Sequence, residues 1–291
     1  MQYEVLLFYK YVAIDDPKKV CERQRALCED LGLKGRIIIA HNGVNGTVEG
    51  TKDKTSLYIK KMLEDHRFTD VVFKKSISTG SALPKLQIRV RKDLVSDQTA
   101  EWGIDPKVMT GKYLTADELH EWIKTNKKFY IMDMRNNYEH KSGHFENSIL
   151  PDIDNFRDLP KVLPELKQYN DRPIVTVCTG GIRCERASGL LIKHGFKDVY
   201  QLLDGIVTYM EKYPNENFLG KLYVFDNRLV MGFNTDNPSH RIVGRCIVCN
   251  APSEHYVNCR NDNCHRHFIA CENCLDADGT IICPQGCRQM K

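Results

Sequence analysis

The sequence predicts a protein of mixed α/β and α+β class that ends in a small cysteine-rich module. Three observations predict it: strand-like and helix-like segments alternate through residues 1–97, an apolar run precedes two glycines and a helix within residues 173–188, and eight of the twelve cysteines follow residue 245. A chain of 291 residues is long enough for two or three domains. We therefore expect three units, at residues 1–97, 112–215 and 216–291.

The middle unit contains the segment that we expect to carry the chemistry. Residues 174–177 are apolar or β-branched and predict a buried strand, which leads into Cys178 and a loop with Gly180 and Gly181. The loop N–H groups, and the N-terminus of a helix that begins near Arg183, stabilise negative charge on sulfur. The pKa of the Cys178 thiol then falls and the thiolate becomes nucleophilic. A buried structural cysteine is the alternative.

Composition and hydropathy limit the classes of protein to which this chain can belong. The hydrophobic fraction of 42% is ordinary for a globular chain. No apolar run approaches the roughly 20 residues that cross a bilayer, and residues 1–4 lack the basic and apolar regions of a signal peptide. We expect a cytoplasmic protein without a membrane segment, whose cysteines remain reduced.

The first unit predicts a ferredoxin-like (acylphosphatase-like) domain. Strands are expected at residues 3–12, 36–40, 46–49, 71–74 and 85–91, and a second helix at residues 56–63. Asp16 and Pro17 begin the first helix and Gly32 ends it. The order β-α-β-β-α-β is the ferredoxin-like arrangement. Cys21 and Cys28 lie beside the apolar face of the first helix, where we expect them to pack.

Basic residues are concentrated in this unit. Residues 1–97 hold 18 Lys and Arg against 13 Asp and Glu. In the last strand, apolar residues alternate with polar or basic ones, so that one face of the sheet is expected to be dry and the other positive. The candidate nucleic-acid contacts are Lys85, Arg89, Arg91 and Lys92. A solvated sheet face without a partner is the alternative.

The remainder of the middle unit predicts a mostly parallel sheet with helices on both faces. A linker at residues 97–112 precedes a capping box at Thr115 and Glu118, which begins a helix. Strands are expected at residues 129–132 and 199–202, and a last helix ends before residue 214. Asp133 and Arg135 are expected to form a structural ion pair, and His144 to be a hydrogen-bonded structural residue.

The cysteine-rich module predicts metal binding. Its cysteines form four short-spaced pairs, which are Cys246 and Cys249, Cys259 and Cys264, Cys271 and Cys274, and Cys283 and Cys287. Eight thiolates suit two four-cysteine zinc sites, and alternating pairs would give a cross-braced module. With little apolar sequence here, a structural metal is expected to hold the fold. The alternatives are free thiols in a stable knuckle, or a resolving partner for Cys178.

Other side chains of the module are expected to support these sites. His265 and His267 are expected either to replace a thiol or to hydrogen-bond to the ligands. Each four-thiolate zinc site carries a formal charge of about −2, which nearby arginines can offset. The arginines in question are Arg245, Arg260, Arg266 and Arg288.

The loop C-T-G-G-I-R-C resembles the active-site loop of a rhodanese domain, a sulfurtransferase fold whose cysteine carries a persulfide. The segments D-M-R at residues 133–135 and G-H-F at residues 143–145 also resemble that pattern. The resemblance assigns the persulfide-carrying role to Cys178. The active-site loop then comprises Thr179, Gly180, Gly181, Ile182, Arg183 and Cys184. Four residues separate Cys178 from Arg183, one fewer than in cysteine phosphatases, which favours sulfur chemistry over phosphate chemistry.

The whole chain resembles the bacterial tRNA uridine-34 hydroxylases. The motifs that carry the resemblance are N-G-V-N-G-T at residues 42–47, D-M-R-N-N-Y-E at 133–139, C-T-G-G-I-R-C-E at 178–185 and V-F-D-N-R at 224–228. The family implies oxygen-dependent 5-hydroxylation of the wobble uridine, with tRNA as partner and molecular oxygen as co-substrate. Nothing in composition or spacing indicates that reaction. A rhodanese-type persulfide sulfurtransferase with docking domains, and a non-catalytic tRNA-binding scaffold, remain the alternatives.

Overall fold

The computed structural model describes residues 2–264, 266–284 and 287. The N-terminal unit is an antiparallel sheet covered on one face by two helices. Its elements are β1 (Tyr3–Tyr11), α1 (Pro17–Asp30), β2 (Lys34–Ala40), β3 (Gly43–Thr51), α2 (Lys52–Leu63), β4 (Lys74–Ser78) and β5 (Leu86–Val90). The sheet order is β4-β1-β3-β2-β5, in which β5 pairs parallel to β2 and the other pairs are antiparallel. The first four strands have the ferredoxin-like order and β5 extends that sheet.

Alternation along each strand gives the N-terminal sheet two different faces. Phe8, Ile37 and Ile39 are fully buried against α1 and α2, in the same core as Cys28 and Tyr58. Their neighbours along the strands point to the other face, which lies over the middle unit. The predicted packing role of Cys28 and Cys21 is confirmed, because both belong to this apolar cluster.

Two expectations for this unit were wrong. Residues 71–73 are not a strand, and β4 begins at Lys74 instead. The register explains the shift, because Tyr3 at the start of β1 pairs with Ser78 and Leu7 pairs with Lys74. The chain leaving α2 needs residues 71–73 to reach that edge. The order is also β-α-β-β-α-β-β, since the end of the unit supplies both β4 and β5, which lie at opposite edges of the sheet.

The middle unit has a parallel sheet between two layers of helices, as predicted. Its elements are β6 (Lys112–Leu114), α3 (Ala116–Lys124), β7 (Tyr130–Asp133), α4 (Asn137–His140), β8 (Gly143–Phe145), α5 (Leu159–Leu166), β9 (Ile174–Val177), α6 (Ile182–Lys193), β10 (Val199–Leu202) and α7 (Gly205–Lys212). The sheet order is β6-β10-β9-β7. The adjacent residues Ile131 and Met132 pack into different apolar cores. Ile131 packs with α3 and α7, and Met132 packs with α5 and α6.

The predicted linker is packed against the middle unit. Trp102 and Ile104 are buried in the core beside α6, and the backbone N–H of Gly111 donates to Ser188 Oγ at 2.7 Å. Arg186 of α6 binds both the carbonyl of Ile104 and the carboxylate of Asp93. These contacts fix the N-terminal unit on the side of the sheet where β9 ends.

The C-terminal segment consists of short strands joined by loops. Its elements are β11 (Phe218–Gly220), β12 (Leu222–Tyr223), β13 (Val230–Met231), β14 (Tyr256–Asn258) and β15 (His267–Ile269). Strand β11 pairs antiparallel with β8. Arg228 donates to Ser76 Oγ at 2.9 Å, and the backbone N–H of Asn227 donates to the carbonyl of Ala82 at 2.8 Å. The segment therefore contacts both preceding units.

Candidate active site

Cys178 directly follows β9 at the carboxyl edge of the parallel sheet, where α/β proteins place their sites. The loop after it turns into α6 through Gly181, whose φ of +100° favours glycine. This turn brings the backbone N–H of Gly181 to 3.2 Å from the Cys178 sulfur. The side chain lies at the buried floor of a cavity of about 350 Å³.

The surroundings of Cys178 favour its thiolate. Burial raises the pKa of the thiol, but a hydrogen bond from Cys184, the charge of Arg183 and the backbone N–H groups of residues 183 and 184 outweigh burial and lower the pKa to about 6. Burial and the neighbouring Cys178 raise the pKa of Cys184 well above its usual value. Cys178 is thus the ionised sulfur of the pair and Cys184 its proton-bearing neighbour.

Arg183 is held behind the loop by Glu139. Its Nη1 and Nη2 atoms donate to the two carboxylate oxygens of Glu139 at 2.5 and 2.8 Å, and both side chains are buried. Nη2 also donates to Thr179 Oγ1 at 3.3 Å. The guanidinium is therefore fixed by the protein, and it acts on Cys178 through its charge. Thr179, Gly180, Ile182 and Arg183 line the same cavity as Cys178.

The N-terminal sheet lies directly on this loop. A Cβ atom on Gly180 would lie 2.8 Å from Leu7 Cδ2, and one on Gly181 would lie 2.8 Å from the Tyr9 hydroxyl oxygen. Tyr9 also donates to Glu185 at 3.1 Å. The two glycines thus serve a second purpose besides turning the loop: they leave room for β1. This contact between distant segments was not predicted from the sequence.

Two cations that the sequence analysis missed line the cavity. Arg36 of β2 and Arg157 before α5 are exposed, and neither forms an ion pair with any residue that the structure describes. Because unpaired guanidinium groups bind phosphate and carbonyl oxygens well, these two are suited to a polar ligand. The other lining residues that sequence reasoning missed include Leu7, Tyr9, Asn45, Leu94, Asn136, Asn155 and Phe225.

The predicted basic strand extends the wall of this cavity. Strand β5 pairs parallel to β2 so that Gln87 lies beside Arg36 and Arg89 beside Ile38. Residues paired in this way share a face, and Arg36 and Ile38 both line the cavity. Arg89 is exposed on that face, whereas Ile88 is buried on the other. Lys85, Arg91 and Lys92 are also exposed, at the two ends of β5.

The residues expected to be structural are in structural positions. Asp133 and Arg135 form a buried ion pair, with Nη2 at 2.6 Å from Oδ2, and Arg135 also donates to the carbonyl of Gly143 at 2.7 Å. The charge of Arg135 opposes the effect of burial and lowers the pKa of the Asp133 carboxyl. His144 shares a hydrogen bond with the carbonyl of His140 at 3.1 Å. None of these three side chains lines the cavity at Cys178.

The eight cysteines of the module form two clusters, each drawn from alternate pairs. One cluster comprises Cys246, Cys249, Cys271 and Cys274, and the other comprises Cys259, Cys264, Cys283 and Cys287. Within each cluster the four sulfurs lie within 4.8 Å of one another. A tetrahedral metal with bonds of about 2.3 Å to sulfur separates its ligands by roughly 3.8 Å, and Cys264 and Cys283 are 3.8 Å apart. Both clusters can hold a metal ion.

The histidines and arginines expected to support the cysteine clusters differ in where the structure places them. His267 belongs to neither cluster, and its Nδ1 is 2.9 Å from the hydroxyl oxygen of Tyr223, so of the two roles expected for it the structure does not support replacement of a thiol. The chain reverses between β14 and β15, and His267 lies beside Tyr223 of β12 and Tyr138 of α4. Arg260 lies 3.3 Å from Asp276, so carboxylates already balance its charge. His265 and Arg288 lie outside the described residues.

Within residues 2–264, 266–284 and 287, no helix is both long enough and apolar enough to span a bilayer.

Family models match three parts of the chain in succession. The family described as "UPF0176 acylphosphatase like domain" matches residues 3–94. The rhodanese-like domain family matches residues 115–212, and the family described as "Rhodanase C-terminal" matches residues 219–288. The rhodanese-like match contains Cys178 and its loop, and the last match contains all eight clustered cysteines.

Three curated relatives align with nearly the whole chain. The tRNA uridine(34) hydroxylase of Bacillus licheniformis is 45% identical over 274 residues, covering 93% of this chain and 84% of the relative. Those of Cytophaga hutchinsonii and Staphylococcus carnosus are each 42% identical, covering 94% of this chain and 86% of the relative. At this identity and coverage, the chain belongs to the tRNA uridine(34) hydroxylase family.

Proposed function

We propose that this protein hydroxylates uridine 34 of tRNA and that Cys178 is its nucleophile. The names of its relatives support the substrate and the reaction. One observation carries the role of Cys178: its thiol has a pKa lowered to about 6 and lies in a cavity also lined by Arg36 and Arg157, which form no ion pair within the described residues. A thiolate is then the main species at neutral pH, as nucleophilic catalysis requires.

The chemistry of uracil explains why a nucleophile is needed. Carbon 5 of uracil does not react with oxygen unaided, but addition of the Cys178 thiolate to carbon 6 makes carbon 5 an enolate carbon. This electron-rich carbon forms the bond to oxygen. Loss of its proton and departure of the sulfur then restore the aromatic base and the free thiolate. A donor that lines the cavity, such as Arg157, stabilises the enolate oxygen.

Molecular oxygen is the proposed co-substrate. Converting a C–H bond into C–OH with dioxygen places one oxygen atom in the product and the other in water. The overall reaction consumes two electrons and two protons, so a two-electron reductant takes part. Cys178 returns to its starting state in each cycle and acts as a catalyst.

In this proposal the active-site loop activates Cys178 and the N-terminal sheet binds the tRNA. Thr179, Gly180, Gly181, Ile182, Arg183 and Cys184 hold and ionise Cys178. Lys85, Arg89, Arg91 and Lys92 contact the phosphates of the tRNA, which is supported by the register that places β5 beside the cavity wall. The units proposed at residues 1–97, 112–215 and 216–291 are supported by the ranges of the family models. A tRNA substrate agrees with the cytoplasmic location expected from the sequence.

The two cysteine clusters are proposed to bind one zinc ion each. Four thiolates in a closed set are the usual ligands of structural zinc, and both sets are distant in sequence from Cys178. Zinc would join four separate pieces of chain that have only a small apolar core between them. No catalytic step is assigned to it.

Nucleoside mass spectrometry of tRNA from cells with and without the gene tests the proposal. Loss of 5-hydroxyuridine without the gene is the expected result. Loss of a thiolated nucleoside instead would favour the persulfide sulfurtransferase, a function compatible with the rhodanese-like match. An unchanged nucleoside profile would leave a tRNA-binding scaffold, in which Cys178 is dispensable.

A further inference from the structure

A second cavity opens beside the one at Cys178. Its volume is about 950 Å³, compared with about 350 Å³ for the first. Arg36, Leu83, Asn155 and Phe225 line both cavities and form the boundary between them. All three family-matched parts of the chain contribute to its walls, so the space exists only where they meet.

Aromatic side chains line one side of the second cavity. Tyr138, Tyr223, Phe225 and His267 all line it. Phe225 is 49% exposed, which is unusual for a phenylalanine, and it lies at the boundary between the cavities. The centre of its ring lies 5.3 Å from the centre of the Tyr223 ring and 5.7 Å from Cζ of the Arg183 guanidinium. A half-exposed ring packed against such neighbours is a surface on which a planar ligand can stack.

The charges and amides of the second cavity favour a nucleic-acid ligand. Arg36 and Lys141 are exposed and form no ion pair within the described part of the chain. Of the acidic groups, Asp226 is already paired with Arg228 at 2.6 Å, and Asp154 accepts a hydrogen bond from Asn137 at 3.1 Å. Asn155 and Asn258 present exposed amides, which can bind base edges.

We propose that the second cavity binds the single-stranded nucleotides next to the target uridine, one of whose bases stacks on Phe225. Proteins that bind single-stranded RNA combine aromatic platforms with cations along the backbone, and both are present here. This inference rests on the proposed function. It adds that a nucleotide beside the target uridine is held in a second, adjoining cavity. Arg36, at their boundary, binds the phosphate between the target uridine and its neighbour.

The test measures binding by an enzyme that does not turn over. Anticodon stem-loop RNA carries 2-aminopurine, a fluorescent base quenched by stacking, either at the nucleotide before uridine 34 or at the one after it. It is titrated into a Cys178→Ser protein with Phe225 intact, and into the same protein with Phe225→Leu or Phe225→Trp. Leucine keeps an apolar side chain but removes the aromatic face, whereas tryptophan keeps a face.

With Phe225 intact we expect one of the two positions to be quenched. Phe225→Leu should abolish this quenching and weaken binding roughly tenfold or more, the usual effect of losing one stacked base. Phe225→Trp should retain the quenching and the affinity. Phe233→Leu, a change outside the two cavities, is the control and should behave as the parent. Circular dichroism checks that each variant is folded.

Equal quenching and equal affinity in the parent and the Phe225→Leu protein would overturn this inference. That outcome leaves the proposed function intact, because hydroxylation by the wild-type protein is measured separately by nucleoside mass spectrometry. Conversely, Phe225-dependent quenching, together with a wild-type protein that makes no 5-hydroxyuridine, would support the RNA site and reject the proposed reaction.

Discussion

Arg183 and Glu139 form a two-bonded ion pair, at 2.5 and 2.8 Å, directly behind the loop that carries Cys178. Glu139 has no exposed surface and Arg183 very little. A buried guanidinium that already satisfies a carboxylate cannot turn freely toward a ligand. Its charge nevertheless lies close enough to Cys178 to be among the causes that lower the pKa of that thiol.

Replacing Arg183 with glutamine should therefore raise the pKa of Cys178 from about 6 toward its usual value near 9. The thiolate fraction at neutral pH falls because the variant must reach a higher pH before it ionises. The midpoint of the alkylation rate against pH measures this shift. The unpaired Glu139 should also lower the free energy of unfolding by about 3–5 kcal/mol, as for other broken buried pairs.

Arg186→Gln is the matched control for that experiment. It also removes a buried cation of α6, but Arg186 pairs with Asp93 and is not among the main causes of the shift in the pKa of Cys178. An alkylation midpoint that stays near 6 in Arg186→Gln and rises in Arg183→Gln is expected. If both variants titrate as the wild type does, the charge of Arg183 does not ionise the nucleophile.

The two glycines of the loop should differ in their tolerance of alanine. At Gly180 the added Cβ meets the mobile end of Leu7, so Gly180→Ala should be mildly harmful and partly rescued by Leu7→Ala. At Gly181 the φ of +100° strains any other residue, so Gly181→Ala should be more harmful and Leu7→Ala should not rescue it. Thermal unfolding of the four variants measures this difference, and equal losses at the two positions would contradict it.

Some residues of the candidate site can be predicted from the sequence and others cannot. Cys178, its two glycines and Arg183 lie within six consecutive residues, and local strand-loop-helix chemistry is enough to find them. Arg36, Asn155 and Phe225 reach the same cavity from three distant segments. Arg36 reaches the cavity through the pairing of β2 with β5, and Asn155 and Phe225 reach it from loops through the packing of the units. Neither arrangement follows from local periodicity.

In the fold, too, local features were predicted from the sequence and long-range features were not. The alternation of strands and helices and the capping box at Thr115 are local signals, and both are present in the structure. The start of β4 at Lys74 depends on its register with β1, a contact across about 70 residues, and was therefore misplaced. The pairing of alternate cysteines was left open by spacing alone and is decided by the reversal of the chain between β14 and β15.

Purified protein should contain close to two zinc ions, one for each cysteine cluster. Cys249→Ser and Cys264→Ser should each lose about one ion, because they belong to different clusters, and the double variant should lose both. Chelation should unfold the module while the middle unit stays folded. Elemental analysis that finds no metal in freshly reduced protein would reject the zinc sites.

Neutral residues on the basic face should weaken tRNA binding. Replacing Arg89 and Arg91 with glutamine removes phosphate contacts, so the affinity should fall and its dependence on salt concentration should become shallower. Lys18→Gln and Lys19→Gln on α1, which covers the opposite face of the sheet, are the matched controls and should have little effect. Unchanged affinity and salt dependence in the Arg89 and Arg91 variant would place the tRNA elsewhere.

The most direct test of the account is the 5-hydroxyuridine content of tRNA in cells that express only Cys178→Ser. We expect this nucleoside to be absent while the fold and the tRNA affinity stay unchanged, since a serine hydroxyl is far less ionised than a thiol at neutral pH. Cys184→Ser should reduce the content partially or not at all, because Cys184 only assists its neighbour. A Cys178→Ser protein that hydroxylates tRNA at the wild-type rate would contradict the role of Cys178.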